Sequence, residues 1–407
     1  MRMVTLHRAL QRRVSRPFRQ WLTGARLCRN YTTNITSESL PKALIDLNGN
    51  YRENQEALNT WRNWARSIAE KTIQEFKGSD QPTLSDLYAE IDWLIEDNVD
   101  AVLGQSLSEE SVSKAISRNY TRVSSDHSDV LLRLSLSEME SLWLERLQSR
   151  TPLQYLTNFV YWRNLSLIVT PSVLIPRPET ELMIDFATRA YQNFPLFVVS
   201  KHSEPGKQME LRGGPWLDLG TGSGALAIAL AQVLLQNSGK SRGVNEDTSA
   251  EALVYAVDVS PDACNVARHN VHRHGLGHCV QVMTSFWFNA LGTLQFSGIL
   301  SNPPYIPSEQ ICSLQREVRD HEPILALDGG CIDGAKSLIE ICSGAAKHLL
   351  DGGFLALETH GNDQAELIEN LLHSMKCFTE IQVQVDYCGV KRFVTATKCI
   401  RFSSNDI

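Results

Sequence analysis

Asn302-Pro303-Pro304-Tyr305 is the stretch of this chain whose residue types most directly suggest chemistry. It closes an apolar run, Gly298-Ile299-Leu300-Ser301, that reads as a buried strand. Two successive prolines cannot donate ladder hydrogen bonds, so the strand stops and leaves Asn302 and Tyr305 at its carboxyl end. Ligands of open α/β sheets bind at that end. The side-chain carbonyl of Asn302 and the backbone carbonyl of Pro303 can accept both hydrogens of one planar NH2 group, with Tyr305 covering its face. Such a site suits a weakly nucleophilic, sp2-hybridised nitrogen. A simple strand stop would also explain the proline pair, so the assignment depends on the rest of the chain.

A second constellation is Asp218-Leu219-Gly220-Thr221-Gly222-Ser223-Gly224, which follows the apolar strand Trp216–Leu219 and opens a helix. Glycines there allow a tight turn and a close approach of backbone to ligand. Asp218, two residues before the first glycine, is placed to accept from a ligand ammonium. Gly220-x-Gly222-x-x-Ala225 also satisfies the loose dinucleotide fingerprint, so the loop alone leaves both ligands open. The next strand, Tyr255-Ala256-Val257-Asp258, ends in a carboxylate of the kind that bonds ribose hydroxyls. Loop and carboxylate together point to a nucleoside-containing ligand.

The elements that must position these residues follow from the pattern. From residue 176 onward strands and helices alternate, which implies an α/β fold with a mainly parallel sheet wrapped by helices. Residues 200–214 and 236–251 are Gly/Ser/charged insertions. Residues 151–175 alternate as a β-hairpin connector, and 36–150 read as a small helical bundle. In the bundle a helix is expected over Asn50 to Phe76. Thr83 with Asp86 is expected to cap a second helix, and Ser137 with Glu140 to form a capping box on a third. The resulting division is a leader at 1–31, a helical substrate-positioning domain at 36–150, the connector at 151–175 and the ligand-binding domain at 176–400.

Composition narrows the partners. The 407 residues are 43% hydrophobic and 21% charged, and no apolar run is long enough to span a bilayer. Nine cysteines show no CxxC pair or zinc spacing, and no metal site is expected. Residues 1–31 hold eight arginines and no Asp or Glu, so the −7 of the whole chain becomes −15 over the remainder once those eight charges are set apart. The leader has the composition of a mitochondrial transit peptide, with Arg29-Asn30-Tyr31 as its processing site. An acidic body is poorly suited to phosphate backbones, so no direct nucleic-acid contact is expected. No exposed heptad or long bare edge is evident, and the expectation is a monomer.

The NPPY tetrad, the Asp218-to-Gly224 loop and Asp258 resemble a class I S-adenosylmethionine-dependent amino-methyltransferase. Further segments are more particular: Arg150-Thr151-Pro152-Leu153-Gln154-Tyr155, Val173-Leu174-Ile175-Pro176-Arg177-Pro178-Glu179-Thr180-Glu181, Glu322-Pro323, Ala326-to-Gly330 and Asp386-to-Arg392. Over about 150–395 these are similar to the HemK-type glutamine methyltransferases of peptide-chain release factors. That resemblance implies a seven-stranded Rossmann-like domain with S-adenosylmethionine as cofactor. Gly220, Thr221, Gly222, Ser223 and Gly224 would cradle its methionine moiety, Asp258 its ribose and Trp287 its adenine. Asn302 and Pro303 would orient the substrate glutamine amide, with Pro304 and Tyr305 beside it. The family often carries an acid just before that tryptophan, where this chain has Phe286. Glu358 and His360 are the candidate proton acceptors. The implied partner is a mitochondrial release factor, presented through its Gly-Gly-Gln loop in the matrix. A nucleic-acid exocyclic-amine methyltransferase and a binding protein without turnover are the rival readings.

Overall fold

The computed structural model describes residues 40–75, 81–103, 129–194, 198–199, 208–209, 214–237, 252–331 and 333–400. The leader and most of the two insertions lie outside these residues. The centre of the molecule is a seven-stranded sheet, in the order Val280–Thr284, Val254–Asp258, Trp216–Leu219, Phe296–Ser301, Leu349–Glu358, Lys391–Lys398 and Phe378–Val385. Only Lys391–Lys398 runs against the others. The Trp216–Leu219 strand is buried along its whole length, as are all six residues of Phe296–Ser301. Strands covered on both faces read as continuous apolar runs, which explains why the sequence shows no alternation there.

From Trp216–Leu219 the chain winds outward through two strands to one edge. It then returns to the other side of that first strand as Phe296–Ser301. The order reverses between these two neighbours, and a crevice opens at their carboxyl ends. Ser301 pairs in register with Leu219, so Gly220 and Asn302 leave the sheet side by side. The Ser301 hydroxyl donates to the Leu219 carbonyl at 2.7 Å and locks the two exits together.

Helices bury both faces. One core joins Ala225–Asn237 and Leu182–Asn193 to the sheet, and the other joins Lys336–His348 and Asn362–Met375 to it. Ala225–Asn237 is apolar almost all round because neighbours enclose it. The Leu182–Asn193 helix was not among the expected elements. Gly298 has a packing reason: a β-carbon there would lie 2.3 Å from the Trp216 ring.

The region before residue 150 departs from a purely helical bundle. Helices Gln55–Glu75, Leu84–Asn98 and Leu136–Ser149 are joined by a three-stranded antiparallel sheet of Tyr51–Asn54, Asp129–Leu132 and Val99–Val102. Trp143 is fully buried among the helices and donates to the Ala65 carbonyl at 3.1 Å. The Thr83–Asp86 capping box forms. The later box is Ser135–Glu138, not Ser137–Glu140, because the chain is still extended at Ser135 and turns helical at Leu136. The connector is a short helix, Leu153–Thr157, followed by a hairpin of Phe159–Trp162 and Leu165–Ile168.

Candidate active site

Beyond the crevice lies a cavity of about 350 Å3. Its walls include Thr180, the 220–223 loop, Asp258, Phe286, Trp287, Asn302, Pro304 and the 325–330 segment. The residues singled out in the sequence thus converge, with informative exceptions.

Gly220, Gly222 and Gly224 all take positive φ, at 72°, 53° and 85°. Gly224 requires its glycine most clearly, since at φ 85° a β-carbon there would also lie 3.4 Å from Ala267 on the neighbouring helix, whereas Gly222 donates its N–H to Asp258 and faces open space. The loop is therefore bare backbone toward the cavity. Asn270, buried on the helix Pro261–Arg273, anchors it from behind. Its amide donates to the Ser223 carbonyl at 2.8 Å and the Ile168 carbonyl at 2.9 Å, and accepts from the Ile168 N–H at 2.7 Å. The hairpin and the loop are thereby fixed through one side chain.

Asp258 ends its strand with both oxygens engaged. Oδ2 accepts from Gly222 N–H and Oδ1 from Ser260 N–H, each at 2.9 Å. The Val259 N–H is a third donor to this carboxylate, which with about four lone-pair sites can still accept from a ligand hydroxyl. Burial raises its pKa, and backbone N–H donors oppose that rise.

Asp218 corrects an expectation. It is fully buried and does not line the cavity. Oδ2 accepts from the Thr221 hydroxyl at 2.6 Å and from the Ala227 N–H at 3.1 Å, while Oδ1 is enclosed without a hydrogen-bond partner. Burial pushes its carboxyl up to about 7. Asp218 braces the glycine loop from beneath, and a ligand ammonium has no path to it in this conformation.

Trp287 sits at φ 44°, left-handed backbone that a bulky side chain adopts only under constraint. Its indole N–H donates to Glu340 at 3.0 Å. The ring lies over the first glycine, 3.7 Å from where a Gly220 β-carbon would stand. Phe286, half exposed, lines the cavity beside it.

Asn302 and Pro304 line the cavity, whereas Pro303 and Tyr305 do not. The Asn302 amide donates to the Thr180 hydroxyl oxygen at 3.2 Å. That hydroxyl donates to Glu358 Oε2 at 2.7 Å, and the Tyr305 hydroxyl donates to Glu358 Oε1 at 3.0 Å. Glu358 is wholly buried, and its burial pushes its pKa up to about 7. Both its oxygens are committed to hydroxyls and it does not face the cavity, which removes it as a direct proton acceptor. His360 packs edge-on against Tyr305, with centroids 6.2 Å apart, and is likewise absent from the walls. Thr180 was not singled out from the sequence, although it lies in a segment that was. Its only signal is a short polar residue after Arg177-Pro178.

The far wall is clasped to the N-terminal helices. Buried Arg146 pairs with Glu90 at 2.7 Å and with Glu317 at 3.1 Å, and buried Arg150 holds both oxygens of Glu317. Arg177 meets Glu322 at 2.7 Å, just before wall residues Pro323 and Leu325.

Residues 207–329 match the methyltransferase small domain family. The chain is 39% identical over 267 residues to a release factor glutamine methyltransferase of Thermosynechococcus vestitus, covering 65% of this chain and 80% of that protein. It is 38% identical over 257 residues to the protein so named in Gloeobacter violaceus, covering 63% and 78%. Against that of Caulobacter vibrioides the identity is 32% over 272 residues, covering 66% and 82%. Among solved structures, an hMettl16 catalytic domain bound to an RNA hairpin aligns at 13% identity and a TM-score of 0.40, covering 67% of this chain and 85% of that one.

Proposed function

The chain belongs to the release factor glutamine methyltransferase family, and from that membership we propose that it methylates the glutamine side-chain amide in the Gly-Gly-Gln loop of a mitochondrial peptide-chain release factor. The enzyme is S-adenosylmethionine-dependent. The cavity suits that molecule: a bare glycine loop, the free lone pairs of Asp258 and the apolar walls of Val259, Phe286 and Trp287 match its backbone, ribose and ring. When bound, it supplies a sulfonium methyl that needs no further activation as an electrophile.

The observation that carries the reading is the place of Asn302, at a strand end directly beside Gly220. Its Oδ1, at the cavity wall, would accept one N–H of the substrate amide; the resemblance to the family assigns the other to the Pro303 carbonyl, which lies behind the wall and would have to be reached by the bound substrate. Held that way, the nitrogen is aimed, and the positive charge it gains during attack is stabilised by two fixed acceptors. Positioning in line supplies most of the acceleration: the substrate nitrogen is itself the nucleophile, and no protein side chain need form a covalent intermediate. The methyl's bond to sulfur breaks as its bond to nitrogen forms, and the nitrogen, now acidic, gives its surplus proton to solvent water.

Mitochondrial targeting rests on the Arg-rich, acid-free leader, and preference for protein over nucleic acid on the acidic body. The test uses labelled methyl donor with a purified mitochondrial release factor, its Gln-to-Ala form, and DNA and RNA controls. Label in the wild-type factor alone is expected; label only in nucleic acid would falsify the proposal. Fractionating cells that express the chain with and without residues 1–31 tests the address, which fails if both forms remain cytosolic.

A further inference from the structure

We propose that Thr180 and Glu358 form a relay that decides which end of the Asn302 amide faces the substrate. This rests on the reading of Asn302 as the acceptor of a substrate amide. An Asn side chain is nearly symmetric in shape, and its two ends have opposite hydrogen-bonding sense. Only the carbonyl end is useful here, since an NH2 end would confront the substrate's own NH2, donor against donor.

The orientation follows from counting protons through the network. Glu358 is buried at the end of its strand, and in its ionised form, the form in which the relay operates, its carboxylate only accepts. The Thr180 hydroxyl, 2.7 Å from Oε2, must therefore spend its single proton on Glu358. What Thr180 presents to Asn302 is then a lone pair. The Asn302 atom 3.2 Å from it must be the NH2 group, which leaves Oδ1 for the cavity. The reversed amide would set two lone pairs against each other at Thr180. The Tyr305 hydroxyl fills the other Glu358 oxygen, so that carboxylate has no competing donor to draw it away. Thr180 itself is 5% exposed, lies at the cavity wall and is pinned in the turn Pro178–Glu181 by its N–H to the Arg177 carbonyl at 3.2 Å.

Thr180 is thus a positioning residue acting through Asn302. The experiment compares wild type, Thr180→Ser, Thr180→Val and Asn302→Ala in the full chain. It measures steady-state methylation of the release factor together with S-adenosylmethionine affinity by calorimetry. Thr180→Val removes the lone pair and should lower kcat by about 10- to 100-fold, on the scale of losing one preorganised polar contact. Cofactor affinity should stay within about 2-fold, since uniform binding is untouched. Thr180→Ser keeps the hydroxyl and should recover to within about 3-fold of wild type. A general packing defect would not be repaired by the smaller serine. Should Thr180→Val not fold, Thr180→Ala, which admits a water, replaces it with the same expected loss of turnover and the same serine rescue. Full turnover in the valine or alanine variant beside an inactive Asn302→Ala overturns the relay and spares the reading of Asn302. Full turnover in Asn302→Ala overturns both.

Discussion

Glu358 should make stability and turnover respond to pH in opposite senses. Its ordinary pKa of 4.5 rises to about 7 in the folded chain. Burial is the main cause and the nearby Glu179 charge adds to it, while the Thr180 and Tyr305 hydroxyls and the Arg392 charge oppose the rise. A carboxyl whose folded pKa is raised binds its proton more tightly in the folded state. Its stabilising contribution is therefore complete below pH 4.5 and is lost as the pH rises through about 7. A shift of about 2.5 units at 1.36 kcal/mol each amounts to roughly 3 kcal/mol. With an unfolding entropy of about 2.1 cal/mol/K per residue over roughly 370 residues, that corresponds to about 4 °C in Tm. Turnover runs the other way, because only the ionised carboxylate commits the Thr180 proton and leaves Asn302 facing the substrate. Across pH 5.5 to 8.5 the wild-type kcat should climb with an apparent pKa near 7 while Tm falls. The control is Glu358→Gln, which cannot titrate. Asp218 and Asp97 are also pushed up to about 7, so they bend the stability curve of both proteins alike and cancel in the difference. The glutamine variant should be slower, since its amide can offer a donor to Thr180, and its kcat should be flat in this range. Parallel kcat profiles for the two proteins would refute the reasoning, as would a Tm difference independent of pH.

Asn302→Ala should raise the barrier to methyl transfer by about 2–4 kcal/mol while leaving the fold and cofactor affinity nearly intact; stopped or near-normal transfer under single-turnover conditions decides it. Asp258→Ala should weaken S-adenosylmethionine binding about 10- to 100-fold, because it removes a charge-assisted acceptor and also frees the Gly222 N–H it holds. Calorimetry showing an unchanged Kd would count against that placement. Glu317→Ala should lower stability measurably, because buried Arg146 and Arg150 both lose their ion pair with Glu317, though Arg146 keeps Glu90. A denaturant midpoint equal to wild type would show that the clasp is not coupled to folding.

Much of the catalytic half was legible because its signals are local. Strand stops, glycine turns and alternation with helices depend on a few neighbouring residues, and the segment 362–375 came out as the helix Asn362–Met375. The N-terminal sheet was not legible: Tyr51 pairs with Leu132 across 81 positions, and four-residue strands are too short to show a period. Asn270 looks like any polar residue of an exposed helical turn, and nothing in its neighbours says that its partners are Ile168 and Ser223. The Thr180–Glu358 bond joins residues 178 apart. Asp218 was recognised as important, and its partners in the structure are Thr221 and Ala227 beneath the loop. Its spacing from the glycines is the same whether it reaches a ligand or the backbone beneath the loop, and only burial separates the two.

Ser301 and Leu219 are opposite rungs of one parallel ladder. The residues after them, Asn302 and Gly220, both line the cavity. The separation of these two wall positions is therefore set by the spacing of adjacent strands, about 4.8 Å, a backbone length that side-chain substitution does not tune. Surface insertions can lengthen, shorten or change charge without altering how far apart those two walls of the cavity stand.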